Sequence, residues 1–250
     1  MGRAKLTDLL FGALGIGLFL ALWEIIGVNR LAGLTWPPLS QVLAYLVEPS
    51  RQGLFLRAMA ASFTMVAFGY LLGLLLGVLM AALVHIVRPL RPGMDRLASV
   101  IHAIPAIALA PIFIVLLSRE VTGMAIATLN VFFVIYIATT SGLASSSQAH
   151  RDLFQVIGAS PLSRLLRLDL PAALPALASG MKQAIPAAFI GAILGEWFGS
   201  SRGLGLLMVS AMQNFQIPLL WSAVLIASTA SLLAFGLMGL FERFVYARFR

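Results

Sequence analysis

Few residues in this chain have the types and spacing that chemistry needs. Gly199-Ser200-Ser201-Arg202-Gly203 has the G-x-S-x-G spacing of a hydrolase nucleophile elbow. That chemistry requires a strand-turn-helix setting and a histidine base, whereas the charge pattern places Ser201 at the opposite membrane side from His85, His102 and His150. There is no H-E-x-x-H, no phosphate-binding Walker loop and no G-x-G-x-x-G run, so zinc hydrolysis and nucleotide binding are not expected of this chain. With no cysteine, a disulfide, a thiolate metal site and a cysteine nucleophile are all excluded. The nine acidic residues are scattered, unlike the clustered carboxylates or metal ligands of a membrane-embedded transferase. No catalytic residue and no metal site is expected. The informative lone charge is Glu196, near the outer end of an apolar stretch, where a carboxylate either lines a wet cavity or gate or accepts a structural hydrogen bond. It would repel an anion at close range and is not expected to be a direct ligand. His102, Pro105 and Asn130 fall within apolar stretches and could line a water-filled path together with Glu196, although the two polar side chains could equally be satisfied by a neighbouring helix.

The elements that must position these residues are membrane helices. Of the 250 residues 60% are hydrophobic and 10% charged, against roughly a quarter charged in soluble domains, and several charge-free runs exceed the ~20 residues that cross a bilayer. An all-α integral membrane protein of a single domain, 1–250, is expected, with about six spans near 9–28, 60–84, 97–117, 124–144, 181–198 and 218–241. The basic N-terminal stretch leads into an apolar run without a clear small-residue cleavage site and reads as a retained first span. Pro105 and Pro111 predict a kink in span three. Glycines recur every four residues at 69, 73 and 77 and again at 191, 195 and 199, which favours close helix packing. Arg30, Arg51, Arg57, Arg119 and Arg202 fall on one side and the other 12 of the 17 basic residues on the side of both termini. By the positive-inside rule the termini are cytoplasmic, and the net charge of +8 needs no nucleic acid.

Between spans four and five lies a long segment, 145–182, that includes "DLFQVIGASPLSRLLRLDLP". Leu153, Phe154 and Ile157 fall on one face of a short helix, Gly158 can supply a left-handed turn, and Ser160-Pro161 suits the start of a second helix. A helix-turn-helix elbow with apolar side chains facing the cytoplasm is expected, either to meet a partner or to lie on lipid headgroups.

Asp152-Leu153-Phe154, three residues, Gly158, nine residues and Leu168-Asp169-Leu170-Pro171 resembles the coupling-loop motif of ABC importer permeases, EAA, three residues, G, nine residues, I-x-L-P. Asp152 stands for the usual Glu, Leu153 and Phe154 for the two alanines and Leu168 for Ile, while Gly158, Leu170 and Pro171 match. "LTWPPLSQVLAYL", "HAIPAIALAPIFIVLL" and "GEWFGSSRGLGLLM" are similar to further family segments in the same order. The resemblance implies a type I ABC importer permease fold of the taurine, aliphatic sulfonate, nitrate or thiamine-precursor branch, in the bacterial inner membrane. It also implies that Asp152, Leu153, Phe154, Ile157, Gly158, Ala159, Leu170 and Pro171 form the coupling site for a separate ATPase. Two ATPase copies would bind the ATP and Mg, with a second permease copy and an extracytoplasmic solute-binding protein as the other partners. The rival class is an ion-coupled secondary transporter, which would need buried ionisable groups and inverted repeats that are not evident here.

Overall fold

The computed structural model describes residues 3–249. Among these residues eleven α-helices are formed: α1 (Arg3–Val28), α2 (Leu39–Val47), α3 (Pro49–Ile86), α4 (Arg91–Ala103), α5 (Ala106–Leu116), α6 (Arg119–Leu143), α7 (Gln148–Val156), α8 (Pro161–Arg164), α9 (Leu170–Trp197), α10 (Leu204–Gln213) and α11 (Ile217–Phe249). Among the described residues five stretches are long and apolar enough to cross a membrane, namely α1, α3, α6, the run Pro161–Trp197 and α11, and the bent pair Arg88–Ala103 and Ala106–Leu116 makes a sixth if counted as one span. Strands are absent among the described residues.

The core is the antiparallel pair α6 and α9, with α3 packed on α6 and α11 on α9. Small residues make this contact possible. A Cβ on Gly73 would stand 2.6 Å from the Val131 Cβ, one on Gly69 2.6 Å from the Ala127 Cβ, and one on Gly191 2.6 Å from the Ala127 Cα. A Cβ on Gly195 would enter the Gly123 backbone. Both glycine stripes are therefore consumed inside the fold, and neither is left as a seam for a second copy. Ala184, Ala188, Val131 and Ile135 fill the space between these helices. At the periphery the large apolar side chains of α1 and α11, such as Phe11, Phe19, Leu233 and Leu237, point outward, as a lipid-facing surface requires.

Span three differs from the expectation of one kinked helix over 97–117. The chain turns by 96° between Arg88–Ala103 and Ala106–Leu116. The cause is Pro105, which disfavours helical backbone at the preceding residue; Ile104 accordingly sits extended at ψ 121°. The bent pair still carries the chain across the bundle. His85 in the last turn of α3 reaches Asp169, and α6 ends three residues before Ser146, which also reaches Asp169. Since α3 and α6 both finish at this end, α4 and α5 must return the chain to the far end, where α6 begins. The Lys182–Glu242 pair and the bond from Trp221 at the start of α11 to Thr35 place the start of α1 and the end of α11 at the Asp169 end.

Span five is also longer than 181–198, because α9 is helical from Leu170. The segment expected as loop to residue 182 is thus non-spanning only in its first part, α7 and α8 with their turns.

Candidate functional site

α7 and α8 form a two-helix elbow at the end of the bundle. Ser147 caps α7 by accepting the His150 N–H, and Ser160 caps α8 by accepting the Ser163 N–H, satisfying donors that helix starts leave free. Between them Gly158 has φ +66°, a conformation that a Cβ disfavours. Leu153, Val156 and Ile157 are exposed, Val156 at 84%. Phe154, expected with Ile157 at the apolar tip, is instead half-buried and lines a cleft of about 320 Å³ with His85, Arg88 and Arg164. Val156 takes its place on the outer face because the helix is rotated to bring Phe154 against the bundle.

What holds the elbow is a buried carboxylate. Asp169 is wholly buried. Its Oδ1 accepts the Ser146 hydroxyl at 2.7 Å; its Oδ2 accepts Arg164 Nε at 3.1 Å and lies 2.7 Å from His85 Nε2. Ser146 Oγ in turn accepts Arg151 Nε at 2.8 Å, and Arg151 Nη2 donates to the carbonyls of Ser146 and Ala144. Asp169 thus ties α3, the α6–α7 turn and α8 together, and Arg151 adds α7 through Ser146. Local backbone arranges this: Leu165–Asp169 form a π-turn, with the Leu170 N–H bonded to the Leu165 carbonyl, and the wider turn brings positions five apart, such as Arg164 and Asp169, to one side. Pro171 and Pro175 remove two N–H groups just beyond it, which is the part the motif proline plays here. Leu170, Pro171 and Ala159 are partly covered, while Asp152 is exposed and accepts from Gln148.

The four pathway candidates are not gathered into one site. Glu196 is sealed between α3, α9 and α10, its Oε2 accepting the Ser62 hydroxyl at 2.9 Å and the Gly205 N–H at 2.7 Å. Its Oε1 has no protein partner among the described residues, and Gly203, at φ +131°, lies against the carboxylate with no room for a Cβ. Asn130 Nδ2 donates to the Ala187 carbonyl at 3.3 Å and joins α6 to α9. His102 is exposed and stacks on Phe133 at 3.8 Å, one turn from Asn130. Pro105 forms the bend. The G-x-S-x-G stretch is a turn between α9 and α10 with Ser200 bonded to Arg202 backbone, and it has none of the strand setting that hydrolase chemistry uses. Sequence reasoning missed Asp169, His85, Ser146, Arg151 and Arg164 as one unit. The available signal was Asp169 itself, the sole acidic residue between Asp152 and Glu196.

This architecture has known counterparts. Residues 73–246 match the family described as binding-protein-dependent transport system inner membrane component. A probable ABC transporter permease protein of Haemophilus influenzae is 37% identical over 184 residues, covering 73% of this chain and 75% of that protein. The formylaminopyrimidine transport permease protein ThiX of Halalkalibacterium halodurans is 30% identical over 222 residues, 88% of each chain. Among solved structures, a chain of the MetNI methionine ABC transporter in an inward-facing conformation is similar in fold, with a TM-score of 0.66 over 80% of this chain and 99% of that one at 17% identity. With a multi-spanning helical bundle, a clamped elbow and a family match over most of its length, the chain belongs to the binding-protein-dependent inner membrane permeases of ABC transport systems.

Proposed function

We propose that this permease is the membrane subunit of an importer for a small organic anion, and that it is driven by a separate ATPase docked on the elbow. The observation that carries the reading is the elbow: Leu153, Val156 and Ile157 are exposed on a helix fixed to the bundle by a buried ionic clamp. Exposed apolar surface on a stiff mount suits insertion into a partner groove, and displacement of that partner would be passed through Asp169 to α3, α6 and α9. ATP and Mg belong to the ATPase, present in two copies, because this chain carries no phosphate-binding loop. The elbow end, with the start of α1 and the end of α11 beside it, faces the cytoplasm, in keeping with the basic bias of that end. A second permease copy completes the pathway along faces other than the glycine stripes, and a binding protein delivers substrate at the far end. The related permease for aliphatic sulfonates in Bacillus subtilis, 24% identical, supports an organic anion, and the one for formylaminopyrimidine supports a thiamine-precursor pyrimidine as the second substrate class.

The test is reconstitution. The permease co-expressed with the ATPase encoded beside it should purify as two permeases and two ATPases. In proteoliposomes with the neighbouring binding protein, the complex should take up a sulfonate or pyrimidine only with ATP. Uptake driven by a proton or sodium gradient without ATP would refute the reading.

A further inference from the structure

We infer that the end of the bundle opposite the elbow holds an anion-binding recess, with Arg57 and Arg202 receiving the acidic head of a small organic monoanion. A recess of about 550 Å³ lies between α3, the start of α6 and the turn before α10, a size suited to a small molecule. Both arginines line it, and both also line an adjoining recess of about 320 Å³, with the Arg57 guanidinium lying beside Gly53, one turn back along α3. Among the described residues neither has a carboxylate within 4.0 Å. Both side chains are exposed cations on one recess, and an anion bound there is attracted by each. The apolar part of such a ligand would lie along Ala61, Met65 and Phe68 on α3.

The turn that carries Arg202 is preorganised. Ser200 Oγ donates to the Arg202 carbonyl at 2.6 Å and accepts its N–H at 3.3 Å, and the next residue, Gly203, is pressed on Glu196. Glu120 lines the same recess and disfavours a second negative charge on the ligand. The recess selects for one acidic group on a short apolar body. That this anion is the transported substrate rests on the function proposed above; the existence of the site does not.

Because the chain has no cysteine, Thr64→Cys gives a single reporter in the recess, at an exposed side chain bonded only to its own helix through the Ala60 carbonyl. In phosphatidylcholine nanodiscs it would be labelled with the anionic sulfonatoethyl methanethiosulfonate and the cationic trimethylammonioethyl reagent. Arg57→Gln or Arg202→Gln should each lower the anionic-to-cationic rate ratio about fivefold, while Arg57→Lys and Arg202→Lys keep it. Ethanesulfonate should slow both reagents in the parent and not in the double Gln variant. An unchanged ratio in both Gln variants, or no protection by ethanesulfonate, overturns the inference. So does protection that appears only when phosphatidylglycerol is added, which would make the site one for lipid headgroups. Labelling needs the permease alone, so failure of the ATPase to associate would sink the transport reading and leave this result standing.

Discussion

Asp169→Asn tests whether the elbow is a lever or a loose surface loop. The carboxylate serves three partners, and two of them, His85 and Arg164, share Oδ2. An amide keeps one acceptor oxygen, so either that pair or the Ser146 hydroxyl must face an NH2 group, and the remaining bonds lose their charge assistance. A hydrogen bond to a charged group contributes about 1.5–3 kcal/mol, and the equivalent of one to two is lost, giving about 3 kcal/mol and roughly a hundredfold rise in the population of the released elbow. Hydrogen exchange followed by mass spectrometry over 148–157 reads this population directly. Exchange of the α7 amides should accelerate by up to about a hundredfold, with α6 and α9 unaffected. Asp152→Asn, at an exposed carboxylate that accepts only from Gln148 one turn earlier, should leave the rate unchanged. If Asp169→Asn matches Asp152→Asn, the clamp does not hold the elbow and the coupling route through Asp169 is wrong.

Three further outcomes are expected. Glu196→Ala leaves the Ser62 hydroxyl and the Gly205 N–H without their shared acceptor and should destabilise the α3–α9–α10 contact by about 2–4 kcal/mol, seen as a lower midpoint in heated detergent samples followed by size exclusion. Gly195→Ala drives a methyl into the Gly123 backbone and should reduce folded yield sharply, whereas Gly12→Ala, with open space around it, should not; equal yields would mean α6 and α9 are not packed as described. Gly158→Val strains a backbone at φ +66° and should leave some ATPase bound while weakening its stimulation by substrate, because the contact surface survives but its angle does not.

The architecture was largely legible in the sequence because charge-free runs long enough to cross a bilayer have few alternatives. The spacing Gly158, Ser160, Pro161 also forecast the elbow, since φ > 0, a side-chain cap and a first-turn proline are local requirements. Tertiary contacts were not legible. Phe154 and Val156 are both apolar and two residues apart, and which one faces outward depends on the roll of α7 against His85 and Arg88, set by the clamp and not by local pattern. Asp169 looked like one variable position in a motif, and its partners His85 and Ser146 lie 84 and 23 residues away. The glycine stripes were readable as close-packing faces, but whether they met a neighbouring helix or a second copy was decided only by the observed approach to Ala127, Val131 and Gly123.

If the ATPase docks on the exposed face of α7, as proposed, a charge placed there must block it. Val156→Asp, at a side chain that is 84% exposed, should leave insertion and thermal stability unchanged. Docking would bury its carboxylate without a partner, at a cost of several kcal/mol. Co-purification of the ATPase with the Val156→Asp permease, measured beside the parent and Arg30→Gln at the far end, is the most direct test. Loss of the ATPase from the Val156→Asp preparation alone is the predicted result; parent-level recovery with normal substrate-stimulated hydrolysis would contradict the account.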